Sequence, residues 1–207
     1  MLISVNTLRP ADIIVSTTNA NISAVIRAGI GSSVSHSIIY IGGSTVVEAI
    51  GRGVVRQPLA DALQGAVLAI ALRRRGLTVK QRADVVTYAT QFASMNLPYD
   101  ALGAAASGTT TGRGGLLAGF GCAISLGFCA AGTAEARNNA KPENADKAFF
   151  CSELVARVFE LAGAPVVEGS ASAATPRHIR MATTLLYLGK LVDTPVEDPG
   201  IAFGSPL

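Results

Sequence analysis

The stretch "SHSIIYIGGSTVVEAIGRGVVRQPL", Ser35 to Leu59, constrains the fold more than any other part of this sequence. β-Branched and aliphatic residues come in short blocks, cut by Gly42-Gly43 and again by Gly51 to Gly53. Blocks of that kind joined by glycine turns form hairpins, in which neighbouring strands run antiparallel. "ADIIVST", after the turn residue Pro10, and "GAVLAIALRR" read as further strands, and "TTLLYLGKLV" as a last strand or strand pair. The run Arg73 to Arg75 falls at a strand end and reads as solvated charge.

The first hairpin carries two polar residues whose relation depends on the turn. Side chains alternate along a strand, so register decides whether His36 and Glu48 share a face. With a loop of Ile41 to Gly43, Tyr40 pairs with Ser44 and His36 falls directly opposite Glu48. A two-residue Gly42-Gly43 turn puts them on opposite faces. The sequence leaves both open. On one face, the carboxylate can orient the imidazole and favour its charged form. The alternative is a surface cross-strand pair.

Helical spacing appears elsewhere. "NISAVIRAGIG" places Ile22, Val25, Ile26 and Ile30 on one side, with Gly29 and Gly31 suited to its end. "TVKQRADVVTYATQFASM" predicts an amphipathic helix capped by Thr78, with Val85, Ala89 and Phe92 inward. In "AFFCSELVARVFELAG", Cys151 heads a helix whose core face is Leu154, Val155, Val158, Phe159 and Ala162. Thr175-Pro176 marks another helix entry, with Thr175 as cap and Pro176 in the first turn. "DTPVEDPGIAFGSPL" reads as a Pro/Gly tail.

Position makes Cys151 a candidate nucleophile. The first turn of a helix presents unpaired N–H groups and the positive end of the dipole, and both favour thiolate over thiol. A buried structural cysteine is the plain alternative. The chain has only two histidines, His36 and His178, to serve as a base. His178 competes from a first helical turn, where exposed polar residues are common.

Between the second helix and Cys151 lies a stretch rich in Gly, Ala and Thr, with an insertion at about residues 101–139. Within it, residues 116–131 are apolar but too short and too Gly-rich for a membrane span, which needs roughly 20 residues. A compact insertion packed on the domain is expected, with a weak membrane contact through 116–131 as the alternative. Cys122 and Cys129 would share a helix face there as small buried residues, and their Cα atoms, about 10 Å apart, are poorly placed for a disulfide.

Composition narrows the function. Hydrophobic residues at 49% and charged residues at 15% describe a chain with a real core rather than a disordered one. The expected organisation is a single domain over residues 1–207. A net charge of +3, without a basic stripe or interleaved aromatic residues, speaks against nucleic-acid binding. Three cysteines without a CxxC pair give no metal site, and no cofactor motif is present. The opening "MLISVNTLRPADIIV" lacks a signal-peptide pattern, so the expected location is cytoplasmic as made, with export only by a signal-independent route.

Four segments in order carry a family resemblance: His36 in "SHSIIYIGG", Glu48 in "VVEAIGRGVV", "LPYD" at Leu97 to Asp100, and "FFCSELVARVF" at Phe149 to Phe159. The chain resembles the circularly permuted papain-like hydrolases of the YiiX-like group, relatives of NlpC-type peptidases and of lecithin:retinol acyltransferase-like proteins. In the permuted group the histidine strand precedes the cysteine helix, as here. "LRPADIIVS" resembles that group's opening strand, with Ala11 where Gly is usual, and "TPRHI" resembles a turn near the end of such chains.

The resemblance implies an α+β fold, with a small antiparallel sheet packed against the helix that carries the cysteine. It implies Cys151 as nucleophile, His36 as general base and then acid, and Glu48 as orienting residue, with Tyr99 near the site as an oxyanion or substrate contact. It implies a thioacyl-enzyme route of amide cleavage, most naturally in peptidoglycan stem peptides, as for an exported antibacterial effector with an inhibitor or immunity protein as partner. A lipid-directed thiol acyltransferase or esterase is the enzyme alternative. A non-catalytic binding domain is the alternative of another class.

Overall fold

The computed structural model describes residues 1–18, 32–95 and 150–193. The expected helix at 21–31, Tyr99 and its "LPYD" segment, Cys122, Cys129, the 101–139 insertion and the tail from residue 194 lie outside the described residues.

The described residues form an α+β architecture on one antiparallel sheet. Its strands are β1 (Asp12–Thr18), β2 (His36–Gly42), β3 (Thr45–Ile50), β4 (Gly53–Pro58), β5 (Ala66–Arg74) and β6 (Leu185–Asp193). They lie in the order β4-β3-β2-β1-β5-β6. The sheet is antiparallel and has six strands, and of the strand or strand pair expected from "TTLLYLGKLV" it takes up a single strand. The helices are α1 (Leu59–Ala62), α2 (Val79–Ser94), α3 (Cys151–Leu161) and α4 (Pro176–Met181). Among the described residues no helix is long and apolar enough to cross a membrane.

Both faces of the sheet are covered. On one, Ile13, Val15, Ile39, Val47, Ile70 and Leu72 pack with α2 and α3. On the other, Ile14, Ile38, Tyr40, Val46, Ala69 and Ala71 pack with Leu8 and Leu59. Strand β1 is therefore apolar at successive positions rather than alternating, as burial on two faces requires.

The two long helices follow from local pattern. Thr78 caps α2 in a reciprocal box with Gln81, and the buried residues are Val85, Ala89 and Phe92. Helix α3 buries Leu154, Val155, Val158 and Phe159 and ends at Gly163, which has φ 66°. There Gly163 N–H donates to Glu160 at 2.9 Å and Ala164 N–H to Phe159 at 2.9 Å, a Schellman closure that needs a left-handed residue. Gln81 donates to the Gly163 carbonyl at 2.9 Å and ties α2 to that end.

The β2–β3 hairpin has neither register weighed from sequence. Tyr40 pairs with Val46, not with Ser44, and the turn residues are Gly43 (φ 58°) and Ser44 (φ 55°) between the pair Gly42 and Thr45. Positive φ at both central positions gives the twist that two-residue hairpins require. The register then shifts between Tyr40 and Gly42, leaving Ile41 as the extra residue of a bulge.

The arginine run also departs from expectation. Arg73 is not simply solvated: its Nε and Nη2 each donate at 2.7 Å to the two carboxylate oxygens of fully buried Asp12. A buried carboxylate needs such a partner, and a planar fork supplies it on two oxygens at once. Arg74 donates to the Pro165 carbonyl at 3.0 Å.

Candidate active site

The bulge in the first hairpin is what brings the polar residues together. A two-residue turn alone would place His36 and Glu48 on opposite faces, because the pairing sum is odd. One extra residue, Ile41, changes the parity, so His36 and Glu48 project to the same side. The β2–β3 ladder runs from Gly42↔Thr45 to Ile39↔Val47, while Glu48 pairs across its other edge with Val55 of β4.

His36 Nε2 hydrogen-bonds Glu48 Oε2. The imidazole is half-buried and the carboxylate almost wholly so, at 2% exposure. The other carboxylate oxygen, Oε1, accepts from the side-chain amide of Gln57 on β4. Both oxygens of a buried anion thus have donors, as burial demands. Gln57 in turn accepts on Oε1 from Arg52 Nη2, in the β3–β4 turn.

Cys151 is the other group that acts on the ring. It is the first residue of α3 and 6% exposed. Phe150 precedes it in extended conformation and, as the N-cap residue, makes no side-chain hydrogen bond to the helix start. The Cys151 side chain is near enough to His36 to act on the charge of the ring. Nε2 is engaged with Glu48, so Nδ1 is the ring nitrogen that the carboxylate does not occupy.

This setting changes the basicity of the ring. Burial pulls the His36 pKa down, but the charge of Cys151, the hydrogen bond to it, and then the hydrogen bond and charge of Glu48 push harder the other way. The result is a rise from 6.5 to about 10. An imidazole flanked by two acidic groups holds its proton at neutral pH.

The start of α3 is fixed from behind. Ser152, fully buried, donates its hydroxyl to the Ala174 carbonyl at 2.8 Å. Ala174 precedes Thr175-Pro176, where Thr175 caps α4 in a box with His178. His178 N–H donates to Thr175 Oγ1 at 3.1 Å, and its Nδ1 accepts from Thr175 N–H at 3.3 Å. The competing histidine is therefore occupied in a helix cap.

Of the residues singled out from sequence, Cys151, His36 and Glu48 come together, His178 stands in its cap, and Tyr99 lies outside the described residues. Gln57 and Arg52 were not anticipated. Their signal was the tight Gly51-Arg52 turn, which pairs Ile50 with Gly53 and hence Glu48 with Val55, leaving Gln57 two residues further along the face of Glu48. Among the described residues no group of three or more His, Cys, Asp or Glu side chains is placed to hold a metal ion.

No family model matches the sequence. Over 198 residues the chain is 30% identical to "Probable lipoprotein peptidase YaeF" of Escherichia coli K12, covering 89% of this chain and 71% of that protein. Among solved structures it matches yiiX from Escherichia coli O157:H7, titled a metalloprotein of DUF1105, with a TM-score of 0.60 and 18% identity. That match covers 88% of this chain and 97% of the other.

Proposed function

Because the chain belongs to the YiiX-like family of papain-like hydrolases, we propose that it is a cysteine amidase that works through a thioacyl-enzyme, with Cys151 as nucleophile, His36 as acid and base, and Glu48 as the residue that orients the ring. The observation that carries this reading is the grouping of Cys151, His36 and Glu48, brought from a helix start and two strands, with His36 hydrogen-bonded to Glu48 and acted on by Cys151. The naming of YaeF as a probable peptidase supports amide over ester substrates.

The chemistry follows from the charges. His36 is protonated at neutral pH, and the form of Cys151 that reacts is its thiolate. The sulphur attacks the amide carbonyl, and the oxygen takes up negative charge beside the backbone N–H groups at the start of α3. The C–N bond then breaks, and the proton passes from His36 Nδ1 to the departing amine nitrogen. Once the sulphur has bonded to the carbonyl carbon its charge is gone, so in the tetrahedral intermediate His36 has lost the strongest influence that held its proton. The ring becomes more acidic when a proton is needed. In the second half, neutral His36 takes a proton from water, the hydroxyl attacks the thioester, and C–S cleavage restores the thiolate.

Peptide amides of peptidoglycan are the proposed substrate class, from the kinship with NlpC-type enzymes, and an exported antibacterial role fits that substrate. The test incubates the full chain and Cys151→Ala with purified peptidoglycan and with phosphatidylcholine vesicles, and analyses both by mass spectrometry. New amino termini in stem peptides, absent with Cys151→Ala, support the proposal. Acyl transfer or ester cleavage in the vesicles alone would replace it with a lipid-directed enzyme. Intact substrate in both arms, with a folded protein and an unreactive Cys151, would favour a binding domain.

A further inference from the structure

We propose that Gln57, held by Arg52, is a positioning residue that locks the Glu48 carboxylate toward His36. The inference rests on the cysteine-hydrolase reading above and extends its contact chain outward by two residues.

The amide of Gln57 has a donor end and an acceptor end, and its surroundings permit one orientation. Glu48 Oε1 can only accept, so it must face the NH2 group. The Arg52 guanidinium can only donate, so it must face the carbonyl oxygen. A flipped amide would set oxygen against carboxylate and NH2 against guanidinium, two repulsive contacts at once. Arg52 therefore dictates which end Gln57 offers, and Gln57 fixes one carboxylate oxygen so that the other stays on His36.

A carboxylate free to rotate about its last torsion would not stay aligned with the ring, since that torsion is broad. Glu48 is buried and has donors on both oxygens, so it has a single arrangement to adopt. The anchor comes from the β3–β4 pair, whereas the reacting groups stand on β2 and at the start of α3. Glu48 and Gln57 are set by the β3–β4 register, and Arg52 by the turn between those strands. The charge on Arg52 is exposed, well away from Cys151 in the contact chain, so it orients without competing for the thiolate.

The test follows His36 itself, so it needs no substrate. Ring resonances of the full chain are titrated by NMR from neutral to strongly basic pH, in wild type, Gln57→Met, Arg52→Met and Glu48→Gln. The acidic groups that set this titration are Cys151 on α3 and Glu48 on β3. Gln57→Met keeps length and volume but removes the donor. It is expected to lower the proton affinity of His36 roughly threefold to tenfold, less than the full worth of a hydrogen bond to a charged group because the change reaches the ring only through Glu48. Arg52→Met should shift it in the same direction by less. Thermal melts check that the variants are folded. A Gln57→Met midpoint equal to wild type, with Glu48→Gln still shifting it, would overturn the inference while leaving the hydrolase reading intact. A wild-type ring that titrates at its ordinary value, with Cys151 slow toward iodoacetamide, would bring down that reading and this inference with it.

Discussion

At the scale of single residues the site is an arrangement of charge. His36 is held protonated by groups on either side, and that sets its response to change. Cys151→Ala and His36→Ala should each abolish turnover while leaving the fold intact, because each removes a group needed in the chemical step. Glu48→Gln keeps a hydrogen-bond acceptor but loses the charge, and should retain activity reduced about tenfold to a hundredfold. Comparison of steady-state rates on peptidoglycan fragments checks all three. The pH dependence has a definite sign. The His36 pKa is raised, so its contribution to stability is complete below about 6.5 and is lost as pH rises through about 10. The proton that must reach the leaving amine disappears over the same upper range. The basic limb of kcat/KM should therefore fall near pH 10, and a limb near 6.5 would mean that the pair does not form.

At the scale of elements, the positions of the reacting groups depend on short devices at the ends of strands and helices. The Ile41 bulge sets the parity of the first hairpin. Ser44, a non-glycine residue at φ 55°, is steadied where its N–H donates to the Tyr40 hydroxyl at 3.2 Å. The Thr175 cap holds α4 beside the carbonyl that receives Ser152. Thr175 is fully buried, and Thr175→Ala removes its cap to His178 N–H, so it should lower stability by about 1 kcal/mol. Urea denaturation measures that loss. His178→Ala removes only the reciprocal half of the box and should be nearly neutral for activity. Loss of turnover in that variant, with His36→Ala still active, would reverse the assignment of the base.

At the scale of the whole molecule, contacts distant in sequence tie the sheet to its N-terminal segment. Arg73 on β5 grips Asp12 on β1 and also donates to the Thr7 carbonyl at 3.1 Å. Asp12 accepts from Arg9 N–H at 2.7 Å. Arg73→Met would leave the buried carboxylate without its cation and should cost about 3 kcal/mol, a clear fall in thermal midpoint. On the outer side of β6, Ile3 N–H donates to the Lys190 carbonyl at 2.9 Å and Lys190 N–H donates to Met1 at 3.0 Å. Gly189 has φ 151°, and a Cβ there would meet the Ile3 side chain at 2.5 Å, so the strap depends on a glycine. Gly189→Ala should detach it, which hydrogen exchange at Ile3 and Lys190 would report.

The sequence by itself determined what is local. The spacing of Val85, Ala89 and Phe92, and of Leu154, Val155, Val158 and Phe159, gave two helices and the faces they bury, because neighbours on a helix lie three and four residues apart. Thr78, Thr175 and Pro176 marked helix starts for the same reason: a cap acts within one turn. Cys151, His36 and Glu48 could be picked out as residue types at the start of a helix and on two strands. What joined them was decided only by tertiary structure. Whether His36 and Glu48 shared a face hung on one bulged residue, and sequence pattern cannot count a bulge, because Ile41 is equally at home inside a strand or looped out of it. Nothing local in the sequence marks Gln57 or Arg52; only the β3–β4 register sets Gln57 behind Glu48. Arg73 looked like solvated charge until β5 and β1 paired and aligned it with Asp12. Each of these depends on which strand lies beside which, and in what register. Strand pairing is a relation between distant segments, so no local period carries it.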